Sequence, residues 1–126
     1  MVKNPLIDGE RGVIINTASA AAYEGQVGQS AYSASKGGIV SMTLPLAREL
    51  ASHSIRCNAI SPGLFKTPIF STLPKKAIDV LAKQCEFPKR FGKPEEFASL
   101  CQHMISNVYI NGTVVRIDAA MRMSKL

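Results

Sequence analysis

Tyr32 and Lys36 stand four residues apart, which on a helix puts both on one face. A tyrosine hydroxyl ordinarily titrates near ~10, so using one to move a proton at neutral pH requires lowering it by about two to three units, or roughly 3–4 kcal/mol. A lysine ammonium works on that scale. At about 4 Å and an effective dielectric near 20, one unit charge contributes on the order of 4 kcal/mol, and an oxidised nicotinamide ring nearby would add to it. Ser19 carries a hydroxyl that both donates and accepts, so it can hold a carbonyl or alcohol oxygen beside the phenol. The trio suits hydride transfer between a carbinol and a nicotinamide. The spacing alone is a weak signal, and the elements that position it decide its weight.

Residues 1–11 read as a polar lead-in. Gly12 to Thr17 is a short β-branched run of the kind buried on both faces of a parallel sheet. Small residues follow from Ala18 to Ala22, then a loop with Gly25 and Gly28, and then a helix predicted from about Ala31 to Leu50 with Ser30 as its N-cap. Pro45 removes one backbone hydrogen bond and is expected to kink that helix or end it early. A second strand is predicted over Ile55 to Ile60, closed by Ser61-Pro62-Gly63, and residues 64–90 read as an insertion with a short amphipathic helix around Lys75 to Gln84. Pro94-Glu95-Glu96 opens a helix to about Ser106, with both carboxylates at the positive end of its dipole. Asn111-Gly112 turns the chain into a last strand, Thr113 to Ile117. This alternation predicts a parallel α/β sheet with right-handed crossovers. Ligands bind such sheets just outside the carboxyl ends of the strands, where Ser19 and Pro62-Gly63 both fall.

The 126 residues are 46% hydrophobic and 19% charged, which fits one globular domain and excludes disorder and fibre. No apolar run is long enough to span a membrane, and the first residues do not resemble a secretory signal. Cys57, Cys85 and Cys101 are odd in number and widely spaced, which points to a reducing compartment rather than to disulfides or zinc. A net charge of +6 invites a nucleic-acid reading, but the excess is local. Lys75, Lys76, Lys83, Lys89, Arg90 and Lys93 face only Asp79 and Glu86, and such a run more often solvates a helix than binds phosphate. His53 and His103 have no partnered ligand spacing, so no metal site is expected, and Phe65, Phe70, Phe87, Phe91 and Phe97 read as packing residues.

Ser19, then Tyr32-Ser33-Ala34-Ser35-Lys36-Gly37-Gly38, then Ser61-Pro62-Gly63 resemble the short-chain dehydrogenase/reductase family. The likeness runs from about Gly12 to Met123. It implies a Rossmann-like doubly wound parallel sheet, of which this chain is the carboxyl-terminal half. It implies Tyr32 as the acid/base, Lys36 as the residue that binds the nicotinamide ribose and acidifies the phenol, and Ser19 as the partner of the substrate oxygen. Pro62, Gly63, Phe65 and Thr67 match the segment that lines the nicotinamide half of the cofactor, and residues 67–85 match a substrate-binding region. The implied cofactor is NAD, and the implied substrate is a secondary alcohol or ketone of the 3-hydroxyacyl-CoA or hydroxysteroid type. Lys75, Lys76 and Lys83 are then candidates for the coenzyme A phosphates. A homo-oligomer, tetrameric in the family, with the Gly37-Gly38 helix in a dimer interface, and a mitochondrial rather than default cytoplasmic location are implied in the same way.

The departures are equally specific. The glycines at 9, 12, 25, 28, 37, 38, 63, 92 and 112 form no GxGxxG or TGxxxGxG, so these residues contain no diphosphate-binding turn. The acidic residue that selects NAD and the asparagine of the family's proton relay are also missing. Residues 1–126 are therefore expected to be a partial domain without the dinucleotide-binding half, with little activity alone. The competing expectation is a non-catalytic module that docks on full-length subunits or joins RNA-processing assemblies.

Overall fold

The computed structural model describes residues 1–123, the side chains of Ile69 and Ser71 excepted. Its sheet has three parallel strands, β1 (Gly12–Thr17), β2 (Ile55–Pro62) and β3 (Val114–Ile117), in the order β1-β2-β3. Gly12 pairs with Ile55 and Thr17 with Ile60, while Ala59 pairs with Val114 and Pro62 with Ile117. This register brings the carboxyl ends of all three strands to one edge. β2 lies in the middle and is buried along nearly its whole length, whereas β1 is only half-buried. Among the described residues, the outer edge of β1 has no partner strand.

Among the described residues, five helices connect and follow these strands: α1 (Ala21–Glu24), α2 (Ser30–Ala51), α3 (Pro68–Ser71), α4 (Lys75–Ala82) and α5 (Pro94–Ser106). The three strands and α2, α4 and α5 fall close to where the sequence places them, and α1 and α3 are additional. Ser30 is the first residue of α2 rather than its N-cap. Gln29 precedes it, and its side-chain oxygen instead accepts from the Gln26 amide at 3.0 Å. Pro45 does not end α2, which continues to Ala51. One lost hydrogen bond is outweighed because tertiary contacts grip both sides of the proline. Thr43 and Ala47 are buried, α2 packs on β2, and the turn at Gly112 (φ +71°) approaches Leu44 and Ala47 so closely that a Cβ there would lie 2.9 Å from Leu44 Cδ1. Phe87 does not pack, being 84% exposed, while Phe65–Phe97 and Phe70–Phe91 form edge-to-face pairs at 5.8 and 5.3 Å.

The central strand buries three polar residues: Arg56 and Asn58 are paired, whereas the Ser61 hydroxyl has no hydrogen-bond partner among the described residues. Asn58 donates to the Ile110 carbonyl at 2.9 Å and accepts from the Thr113 amide at 3.2 Å, fixing the turn before β3. Arg56, 6% exposed, donates to the carbonyls of Met104 (2.7 Å), Ile105 (2.9 Å) and Ile110 (2.9 Å) and pairs with Glu10 at 2.7 Å. The last carbonyls of α5 have no intrahelical donors, so a guanidinium there satisfies them and complements the negative end of the helix dipole. One buried cation thus ties β2, α5 and the lead-in together.

Candidate active site

The hydrogen-bonded ladder continues beyond the strands and joins their tips. The Ala18 amide donates to the Ile60 carbonyl at 2.8 Å, Ala20 to Pro62 at 2.9 Å, and Gly63 to Ile117 at 3.0 Å. Ser19 is therefore held beside Pro62 at the carboxyl edge. It is 8% exposed, and its oxygen accepts from the Ala21 amide at 3.1 Å, which leaves the hydroxyl proton available to a further acceptor. Gly63 allows the third tip to close in, because a Cβ there would lie 2.8 Å from Asp118 Cβ.

The first turns of α2 bring Tyr32 and Lys36 to the same edge. Lys36 Nζ lies 5.8 Å from the centroid of the Tyr32 ring and donates to the carbonyl of Thr17, the last residue of β1, at 2.9 Å. A charge-assisted bond of this kind contributes about 1.5–3 kcal/mol and gives the long side chain one position. Tyr32 is 47% exposed and so remains open to a reactant. The cation, the phenol and the Ser19 hydroxyl thus belong to neighbouring segments at one end of the sheet.

A cleft of about 410 Å³ opens at this edge, and Thr17, Pro62, Gly63, Phe65, Thr67 and Phe97 are among the residues lining it. All four residues assigned by resemblance to the nicotinamide side thus share one cleft. Ser19, Tyr32 and Lys36 do not line it; Thr17 links the two groups, since its carbonyl receives Lys36. Lys75, Lys76 and Lys83 are exposed around α4 and line no part of this cleft.

The sequence reading missed a second charge cluster behind the site. Arg116 pairs with Glu24 at 2.7 Å and with Asp118 at 2.6 Å, and its guanidinium lies 5.3 Å from the Tyr23 ring centroid. Glu24 also accepts from the Met123 amide at 3.1 Å. The Arg116 hydrogen bond holds the Glu24 carboxyl below its ordinary range against an opposing push from burial, and Glu24 in turn raises Arg116. The cluster fastens α1, which begins just after Ser19, to the end of β3 behind Gly63. An arginine within the otherwise apolar Val114–Ile117 run was the only available signal. Burial pushes the thiols of Cys57, Cys85 and Cys101 up, which is unfavourable for a nucleophilic thiolate. No cluster of metal-ligating side chains occurs among the described residues.

The family model described as enoyl-(acyl carrier protein) reductase matches residues 2–121. The chain is 62% identical over 115 residues to 3-hydroxyacyl-CoA dehydrogenase type-2 of Bos taurus, covering 91% of this chain and 44% of the bovine protein. It is 38% identical to the 3-oxoacyl-[acyl-carrier-protein] reductase FabG of Thermotoga maritima over 96% of this chain and 50% of that protein. Among solved structures, 3-hydroxyacyl-CoA dehydrogenase type-2 from Mycobacterium avium superposes with a TM-score of 0.95 at 44% identity, covering 99% of this chain and 49% of that one. The chain spans about half the length, or less, of these relatives.

Proposed function

Because this chain belongs to the short-chain dehydrogenase/reductase family, we propose that it carries the proton-transfer half of an NAD-dependent oxidoreductase. The reaction interconverts a secondary alcohol and a ketone on 3-hydroxyacyl-CoA or hydroxysteroid-like substrates. The observation that carries this reading is the bond from Lys36 to the Thr17 carbonyl, which fixes a cation beside Tyr32 at the strand edge that also holds Ser19.

Tyr32 gives a proton to the substrate oxygen during reduction and takes it back during oxidation, while the Ser19 hydroxyl donates to the same oxygen. Lys36 holds its positive charge beside the phenol and meets the ribose hydroxyls. The cleft suits a flat heteroaromatic ring, with apolar walls from Pro62 and Phe65 and a hydroxyl from Thr67. A nicotinamide bound there supplies the hydride donor or acceptor. No glycine-rich turn is available in these residues for the diphosphate, so the chain alone turns over little. The face of α2 at half-buried Gly37 and exposed Gly38 serves a homo-oligomer, a tetramer by family likeness, and the location is mitochondrial. The free edge of β1 favours a second reading, in which the chain docks without catalysing on full-length subunits.

A chimera separates the two. The bovine relative's segment matching this chain is replaced by it, and the chimera and the 126 residues alone are assayed with NADH and acetoacetyl-CoA. Turnover by the chimera but not by the isolated chain is expected. A folded chimera without turnover would leave the docking reading.

A further inference from the structure

Ser19 is held from two sides. From the sheet, the Ala18 and Ala20 amides bond to the Ile60 and Pro62 carbonyls and fix the backbone around it. From α1, the Ala21 amide donates to its hydroxyl oxygen at 3.1 Å and the Ala22 amide to its carbonyl at 3.0 Å, so the direction of the hydroxyl follows the tilt of this one-turn helix. Four helical residues have no stability of their own, and the tilt must be set by what grips the far end.

That grip is ionic. Glu24, the last residue of α1, is joined through Oε1 to Arg116 at 2.7 Å and to Arg122 at 3.4 Å, and through Oε2 to the Met123 amide at 3.1 Å. Arg116 is held in turn by Asp118 at 2.6 Å, by the Met121 carbonyl at 3.3 Å and by the Tyr23 ring, 5.3 Å away at its centroid. Both side chains of the Glu24–Arg116 pair are half-buried, so salt screens it less than an exposed pair. On its other flank α1 packs against α2, where Gly25 approaches Ser33, the neighbour of Tyr32, so closely that no Cβ would fit. The short helix is thus clamped between the helix that carries Tyr32 and the strand end that carries Arg116.

We propose that Glu24 and Arg116 are positioning residues, whose ion pair sets the tilt of α1 and thereby aims the Ser19 hydroxyl at the oxygen that Tyr32 serves. The kinetic consequence rests on the proposed reaction, whereas the placement of Ser19 is testable without it. Neither side chain lines the nicotinamide-facing cleft, so losing the pair slows the chemical step and leaves cofactor binding intact.

The first measurement is amide hydrogen exchange, followed by NMR, in the 126-residue chain. In Glu24→Ala the Ala21 amide, bonded to Ser19 Oγ, should exchange at least about 10-fold faster, while the Ala18 amide, bonded to the sheet, stays within about 2-fold. Glu24→Gln keeps an oxygen for Arg116 and for the Met123 amide and should recover most of the protection. Glu10→Gln, which weakens an ion pair at the opposite edge of the sheet, controls for general loosening and should leave Ala21 within about 2-fold. In the chimera with the bovine remainder, Glu24→Ala should slow single-turnover oxidation of NADH with acetoacetyl-CoA by about 10-fold at unchanged NADH affinity, and Glu24→Gln by less than about 3-fold. Unchanged exchange at Ala21, equal acceleration at Ala18 and Ala21, or an unaltered chemical step in the Glu24→Ala chimera would each overturn the proposal. A parent chimera without turnover would instead sink the reaction, and exchange at Ala21 would still decide whether Glu24 holds Ser19.

Discussion

Replacing Arg56 by methionine keeps most of the side-chain length and removes every polar contact it makes. The carbonyls of Met104 and Ile105 lose their donor at the end of α5, Ile110 loses a 2.9 Å bond, and Glu10, whose side chain is 22% exposed, keeps its charge without a partner. Individual bonds to a charged donor contribute about 1.5–3 kcal/mol, but their sum overstates the loss because methionine regains apolar packing. Breaking a buried pair from one side costs about 3–5 kcal/mol. For a domain of this size, at about 4 °C per kcal/mol, the expected drop in Tm is about 12–20 °C. Far-UV circular dichroism of the melting transition measures it, with Glu10→Gln as the companion variant. Glu10→Gln removes only the carboxylate charge and should cost about 4–8 °C. An Arg56→Met chain melting within about 3 °C of the parent would refute the claim that this guanidinium holds α5 to β2. A Glu10→Gln loss as large as that of Arg56→Met would place the weight on the ion pair rather than on the carbonyls.

Two further outcomes follow from local geometry. Arg90 and the Lys93 amide hold the Glu96 carboxyl down to about 2, so its folded value lies below the unfolded value of ~4.3. Its stabilising contribution is therefore present above that unfolded value and is lost as pH falls towards the folded one. A carboxyl-detected NMR titration should find the low midpoint, and Arg90→Ala should return it towards ~4.3, whereas an unchanged midpoint in that variant would exclude Arg90 as the cause. Gly92→Ala would put a Cβ 2.6 Å from Cε1 of Phe65, a residue lining the 410 Å³ cleft, which predicts a loss of about 1–3 kcal/mol in urea unfolding, and a neutral result would contradict that close approach.

The strands were legible because Val13-Ile14-Ile15 and Ile55 to Ile60 are short segments bounded by turn residues, although β1 is half-buried rather than buried on both faces because its outer edge has no partner strand among the described residues, and α5 was legible because Pro94 and two carboxylates mark its start. The short helices α1 and α3 were not, since four residues carry no helical period and hydrogen bonds across the strand tips shape the chain after Ser19. Pro45 misled because its effect depends on Gly112, far along the chain, which packs beside it. The roles of Arg56 and Arg116 were hidden for the same reason: the partners of Arg56 lie 46 to 54 residues away and Glu24 lies 92 residues from Arg116, and only folding brings them together. The candidate site was more legible than its supports. Ser19, Tyr32 and Lys36 could be placed at one edge from strand ends and helix spacing, whereas the Thr17 carbonyl that fixes Lys36 could not be anticipated from the sequence.

The proton-transfer claim is tested most directly by Tyr32→Phe in the chimera that joins this chain to the remainder of the bovine relative, followed by single-turnover oxidation of NADH with acetoacetyl-CoA. The account predicts that the variant folds and binds NADH as the parent chimera does, and that its chemical step slows by about 10²–10⁴-fold. A chemical step within about 3-fold of the parent, with cofactor binding intact, would contradict it.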